Sequence, residues 1–143
     1  MAISTADAVW EGSLKEGKGS MKGGSGAFSS PFSFQTRFEG VAGTNPEELI
    51  GAALAGCFSM ALSAGLGKSG FTPTRIHTTS KVHLEKVGEG FKITRIELNT
   101  EAAIPNIDDK TFQEAAEATK KGCPVSQVLA ATQIDLTAKL VNA

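Results

Sequence analysis

Asn45-Pro46-Glu47-Glu48-Leu49-Ile50-Gly51-Ala52-Ala53-Leu54-Ala55-Gly56-Cys57-Phe58-Ser59-Met60-Ala61-Leu62-Ser63-Ala64-Gly65-Leu66-Gly67 is the stretch that decides how the chain folds. Asn45 suits a helix cap and Pro46 its first position, and Glu48, three residues after the cap, completes a capping-box-like start. From Leu49 to Gly67 no side chain is charged. The large apolar residues go round the helix instead of forming one stripe, which predicts a buried helix with Cys57 in its middle. Nineteen uncharged residues also meet the length of a membrane span. About half the run is Gly or Ala, however, three positions are Ser or Cys, and no aromatic belt or basic cluster flanks it. The stretch is therefore read as a core helix, whose small residues suit a sheet wrapped around it or close packing across a two-fold axis.

The 143 residues suit a single domain, 1–143, large enough to bury a core. Lys and Arg number 14 against 15 Asp and Glu, without clustering, so neither nucleic acid nor an anionic membrane is expected as a partner. Met1 to Ser20 carries no long apolar run of the signal-peptide kind, so a cytoplasmic location is expected. In that setting Cys57 and Cys123 read as free thiols or a redox pair and not as a structural staple.

Residues 6–40 carry strand and turn signals. Ala8-Val9-Trp10-Glu11, a weakly alternating Gly/Lys/Ser stretch from Gly12 to Gly26, and Phe32-Ser33-Phe34-Gln35-Thr36-Arg37-Phe38 read as antiparallel strands with glycine turns. On the last of these, Phe32, Phe34, Thr36 and Phe38 share one face, and Arg37 lies on the other. Beyond the central helix, Arg75 to Val87 and Phe91 to Ala103 alternate around Gly88-Glu89-Gly90, which predicts a long β-hairpin. Asp108 or Asp109 opens a helix through Lys121, with Gly122 ending it as a C-terminal glycine. Cys123-Pro124 starts another helix to about Ala131, and a last strand runs from Gln133 to Val141. The pattern is α+β. So short a chain has little with which to cover a helix lacking a polar face, so a homodimer sharing its core across a two-fold axis is expected.

Cys123, between Gly122 and Pro124, falls at a helix start, where aligned peptide dipoles favour an anion and the thiol should ionise more readily. Cys57, mid-helix among apolar neighbours, should instead be made inert by desolvation unless a cation lies near. Arg37, whose strand leads into the helix, is the nearest plausible supplier, and Glu47 can hold its guanidinium in a bidentate pair. In one straight helix Glu47 and Cys57 would be about 15 Å apart along the axis and roughly 80° apart around it. Either the Arg37 and Glu47 pair reaches Cys57 from a symmetry mate, which the dimer expectation favours, or Glu47 precedes a bend. His77 and His83 share a strand face without ligand-spaced partners, so no metal is expected, and no glycine fingerprint for a nucleotide is present. The residues alone give a soluble α+β domain in which Cys57 and Cys123 are candidates for a two-thiol redox site.

Four motifs extend this. Thr36-Arg37-Phe38-Glu39-Gly40, then Thr44-Asn45-Pro46-Glu47-Glu48-Leu49-Ile50-Gly51-Ala52-Ala53, then Ala55-Gly56-Cys57-Phe58-Ser59-Met60-Ala61-Leu62, and later Gly122-Cys123-Pro124-Val125-Ser126-Gln127-Val128-Leu129 together resemble the OsmC branch of the OsmC/Ohr family, from Trp10-Glu11-Gly12 to the last strand. The resemblance implies antiparallel sheets wrapped around a buried central helix in an obligate, intertwined homodimer with its active sites at the interface. It implies a cysteine-based peroxidase in oxidative and osmotic stress defence, reducing organic hydroperoxides and, less efficiently, hydrogen peroxide. Carried over residue by residue, Cys57 is the peroxidatic cysteine, Cys123 the resolving one that closes a disulfide with it, Arg37 the arginine that activates the thiolate, and Glu47 its carboxylate partner. No bound cofactor is implied; an external dithiol of the lipoyl type serves as reductant. Two non-enzymatic classes stay open beside it, a redox sensor and a dimer that carries an apolar ligand.

Overall fold

The structure, a computed structural model, describes residues 1–142. Its elements are β1 (Ala6–Glu11), β2 (Lys18–Gly23), β3 (Ser29–Phe32), α1 (Phe34–Phe38), α2 (Pro46–Lys68), β4 (Arg75–Val87), β5 (Gly90–Ala103), α3 (Asp109–Gly122), α4 (Pro124–Val128) and β6 (Gln133–Val141). They fall into two compact units, the first Met1–Leu49 and the second starting at Ile50.

In the first unit β1, β2 and β3 form an antiparallel meander. Gly19 faces Phe32, and a Cβ there would lie 2.6 Å from ring atoms of both Trp10 and Phe32. The absent side chain is what lets those two rings approach to 5.4 Å between centroids. The expected strand through Phe38 is not formed. It stops at Phe32, and Phe34–Phe38 is a helical turn. Ser33 and Thr36 explain this. The Ser33 hydroxyl accepts from the Thr36 amide at 3.2 Å, and the Thr36 hydroxyl accepts from the Ser33 amide at 2.9 Å, a reciprocal cap that starts a helix. Phe34 and Phe38 then stack at i, i+4, their centroids 4.9 Å apart.

Asn45 caps α2 as expected, its Oδ1 accepting from the Glu48 amide at 2.8 Å, while its Nδ2 donates to the Thr36 carbonyl and so ties α1 to the helix start. The Glu48 carboxylate does not close the capping box; it accepts from the Thr44 hydroxyl.

In the second unit the core is built on one stripe of α2. Leu54, Phe58, Leu62 and Leu66 are at most 1% exposed and pack with Ile96, Leu98, Ala102, Phe112 and Ala116. Each of the buried Leu, Ile and Phe side chains contributes about 1.5–3 kcal/mol by leaving water. Although α2 has the length and apolarity of a membrane span, this stripe is occupied by the protein's own sheet and α3. The opposite face is not: Gly56, Ser63, Ala64 and Gly67 are exposed, and Met60 is 76% exposed. Burial all round α2 is thus not reached within one chain. The hydroxyls of Ser59, Thr78 and Thr100 form a chain of 2.7 and 2.9 Å bonds linking α2 to β4 and β5.

The expected hairpin is β4 and β5, paired antiparallel from Arg75 opposite Ala103 to Val87 opposite Gly90, with Gly88 in the left-handed conformation at the turn. The second sheet is not wholly antiparallel, because β6 joins β5 in parallel register. The two helices between them supply the crossover that a parallel pair requires. Asp108 caps α3, accepting from the Thr111 amide. Gly122 is that helix's last residue but not a left-handed cap; Cys123 ends it in extended conformation, because Pro124 disfavours helical backbone in the residue before it. α4 closes at Val128, short of Ala131, and Leu129–Thr132 turns the chain into β6.

Candidate functional site

Cys123 occupies a joint. It is the C-cap of α3 and the N-cap of α4, and its extended backbone (φ −66°, ψ 139°) turns its side chain to the start of α4. There its Sγ lies 3.0 Å from the Ser126 hydroxyl and accepts from the Ser126 amide at 3.4 Å. Cys123 is 1% exposed and Ser126 4%. The carbonyl of Gly122 is taken by the Gln127 side chain at 2.6 Å, which fixes the same turn from the other side.

Cys57 is half-buried near the middle of α2 and, like Cys123, is a free thiol. Burial is the main cause that pushes its pKa above the ordinary thiol value; the Val125 amide acts in the opposite direction, and hydrogen bonding and charge from Cys123 raise it further. The two sulfurs are therefore neighbours, and the first turn of α4 faces both of them. A groove of about 500 Å³ between the second half of α2 and α3 leads to Cys123, lined by Ala61, Ala64, Ala115 and Ala118 with Lys68 and Glu114 on its walls.

Arg37 and Glu47 form the other pair. Arg37 Nη2 donates to Glu47 Oε1 at 2.6 Å, and Nε lies 3.1 and 3.2 Å from the two carboxylate oxygens. The guanidinium also covers the Phe38 ring at 5.3 Å. The expected bidentate pairing is present, although Arg37 comes from a helical turn and not from a strand. α2 is one continuous helix from Pro46 to Lys68. Glu47 is in its first turn and Cys57 lies ten residues further along it. The four predicted residues form two pairs, Arg37 with Glu47 in the first unit and Cys57 with Cys123 in the second.

His83 belongs elsewhere. His83 Nε2 lies 2.6 Å from Glu97 Oε2, and Arg95 sits between Glu97 and Asp135 at 3.5 and 3.8 Å. The hydrogen bond from His83 holds the Glu97 carboxyl below its ordinary pKa. Ser126 and the Val125 amide are the site groups that the sequence reading passed over. The signal for them is Ser126 at the third position after a Cys N-cap, the spacing at which a side chain meets the cap.

Residues 38–139 match the family model described as OsmC-like protein. Over 125 residues, 87% of each chain, the sequence is 58% identical to Peroxiredoxin OsmC of Escherichia coli strain K12 and, over the same share, to Peroxiredoxin OsmC of Shigella flexneri. Among solved structures it is similar to the organic hydroperoxide resistance protein OhrB of Bacillus subtilis, with 25% identity and a TM-score of 0.72 over 96% of this chain and 98% of that one. It shares its fold with an OsmC-like protein from Mycoplasma pneumoniae, with 17% identity and a TM-score of 0.75 over 98% of each.

Proposed function

The chain belongs to the OsmC-like family, and from that premise we propose that Cys57 and Cys123 carry a two-thiol reduction of organic hydroperoxides. It is a cysteine-based, thiol-dependent peroxidase. The observation that carries the residue assignment is the juxtaposition of two free thiols, one accessible on α2 and one buried at the start of α4.

Cys57 thiolate attacks the distal peroxide oxygen. The O–O bond breaks, Cys57 becomes a sulfenic acid, and the alkoxide leaves and takes up a proton as the alcohol. Burial and Cys123 both oppose ionisation of Cys57, so the step needs a cation that the second unit does not itself provide at the sulfur. Arg37, oriented by Glu47, is that cation: it stabilises the thiolate and the charge developing on the leaving oxygen. The continuous α2 supports delivery of Arg37 from one protomer to Cys57 of its partner in a homodimer. The uncovered small-residue face of α2, with Met60 at its centre, supports the same assembly.

Cys123 then closes the disulfide, and an external dithiol of the lipoyl type, with no bound cofactor, reopens it. The apolar neighbours of Cys57 on α2, Ala61 and Phe58 among them, favour alkyl over hydrogen peroxide. The protein acts in the cytoplasm in oxidative and osmotic stress defence, without membrane or nucleic-acid partners.

The test is stopped-flow consumption of cumene hydroperoxide and of hydrogen peroxide by pre-reduced protein, with thiols counted before and after one equivalent. Loss of two thiols per chain with preference for the organic peroxide is expected. Slow, unselective loss of one thiol or none overturns the proposal and turns attention to an apolar-ligand carrier.

A further inference from the structure

We propose that Ser126 is the hydrogen-bond donor that holds and stabilises the thiolate of Cys123 during disulfide closure. This rests on the two-thiol reading above and names a residue that it does not use.

Cys123 is almost wholly shielded, with 1% of its surface exposed, so water cannot solvate its anion. A buried thiolate survives only where the fold supplies donors. Ser126 supplies two of them, its hydroxyl at 3.0 Å from Sγ and its amide at 3.4 Å. The hydroxyl is itself buried, and its contact in this site is with Cys123. In the thiol state the S–H can donate to Oγ; once the proton is lost, the hydroxyl turns and donates to sulfur, so one group serves both protonation states. The same turn presents the Val125 amide to Cys57. Successive residues of α4 thus address the two sulfurs that must bond.

The step balances without another reactant. Cys123 thiolate attacks the sulfenic sulfur of Cys57; the S–S bond forms as the S–O bond breaks, and the electron pair leaves with hydroxide. That hydroxide combines with the proton released when Cys123 ionised and departs as water. The Cys57 sulfur is reduced from the sulfenic level and the Cys123 sulfur is oxidised to the same disulfide level. Ser126 keeps its proton throughout, since an alcohol is too weak an acid to give it up to a thiolate.

A donor to a thiolate leaves a kinetic mark that a space-filling residue does not. Removing it lowers the thiolate fraction but makes the remaining thiolate more nucleophilic, by a Brønsted factor of about 0.4–0.5. For each tenfold loss in ionisation, Ser126→Ala should resolve about three- to fourfold more slowly near neutral pH. Above the thiol range, where both proteins are ionised, it should resolve about threefold faster. The charged and titratable groups around Cys123, namely Cys57, Lys68 and Glu114 on the groove and Lys120 and Lys121 in the last turn of α3, are common to both proteins.

The experiment oxidises full-length reduced protein with one equivalent of cumene hydroperoxide across a pH series. The lifetime of the Cys57 sulfenic acid is read by trapping with a carbon nucleophile and intact mass. Crossing pH profiles for parent and Ser126→Ala, with Ser126→Thr restoring the parent profile, are expected. Profiles that coincide, or a deficit equal at every pH, overturn the role of Ser126 and leave the disulfide reading standing. A parent that loses no second thiol overturns both.

Discussion

Glu47→Gln tests how much of the peroxidase rate depends on the orientation of Arg37. The carboxylate receives Nη2 at 2.6 Å and Nε at 3.1 and 3.2 Å. Glutamine keeps the shape and can offer one oxygen to Nη2 and Nε, but its amide nitrogen then faces the guanidinium as donor against donor. Hydrogen bonds to charged groups contribute about 1.5–3 kcal/mol. The Glu47 side chain is 8% exposed but that of Arg37 is 36% exposed, and screening at the guanidinium brings the expected loss to about 1–2 kcal/mol. If Glu47 acts only by holding Arg37, that loss appears as a roughly five- to thirtyfold slower oxidation of Cys57. Stopped-flow oxidation of pre-reduced protein measures it, with thermal melts run beside it. Arg37→Met supplies the frame: its loss should be larger, and Glu47→Gln added to it should change the rate no further. A Glu47→Gln protein that reacts as fast as the parent, or a double variant slower than Arg37→Met alone, would refute the pairing as the reason for the rate.

Three other outcomes are expected. Cys123→Ser should complete one turnover, lose one thiol and leave Cys57 as a sulfenic acid detectable by mass; undiminished turnover with a dithiol reductant would remove Cys123 from the resolving step. Phe58→Ala empties a fully buried site on α2, and chemical denaturation should show a loss of about 3–5 kcal/mol, a figure that a loss below 1 kcal/mol would contradict. The Thr111 hydroxyl and amide hold the Asp108 carboxyl below its ordinary pKa. Its contribution to α3 is therefore fully present above the ordinary carboxylate value and lost as pH falls through the depressed folded value. Asp108→Ala should melt below the parent at neutral pH, with the gap closing in acid; a gap that widens in acid would reverse the sign.

The parts of this fold that were legible in the sequence are those where one local signal faces no competitor. Asn45-Pro46 before an uncharged run could start only a helix, and the alternation on either side of Gly88 could form only a hairpin. Phe32 to Phe38 was misread because Phe34 and Phe38 fit both periods, and the deciding bond, between Ser33 and Thr36, lies in polar residues that carry no hydrophobic pattern. Gly122 drew attention as a helix stop, whereas the backbone restriction came from Pro124 acting on Cys123. The parallel placement of β6 was invisible because strand direction is set by the crossover and not by the strand's own residues. Both cysteines and the Arg37 and Glu47 pair were named from the sequence. The donor on Cys123 was harder to read, since the spacing of Ser126 three residues on has meaning only once Cys123 is known to cap α4.

The parallel ladder between β5 and β6 has a consequence for the order of folding. Arg95 pairs with Gln133 and Ala103 with Val141, so each rung must wait for the whole segment that carries α3, Cys123 and α4. A hairpin such as β4 and β5 closes in about 1–10 μs, but strands paired across a long crossover are slower, because loop-closure entropy must be met before any contact rewards it. A newly made chain would therefore pass through a stage in which Cys57 is already on a formed helix while its sulfur neighbour is still unplaced. At that stage the protein has two independent thiols, each open to chance oxidation, and they become neighbours only when the crossover segment has packed.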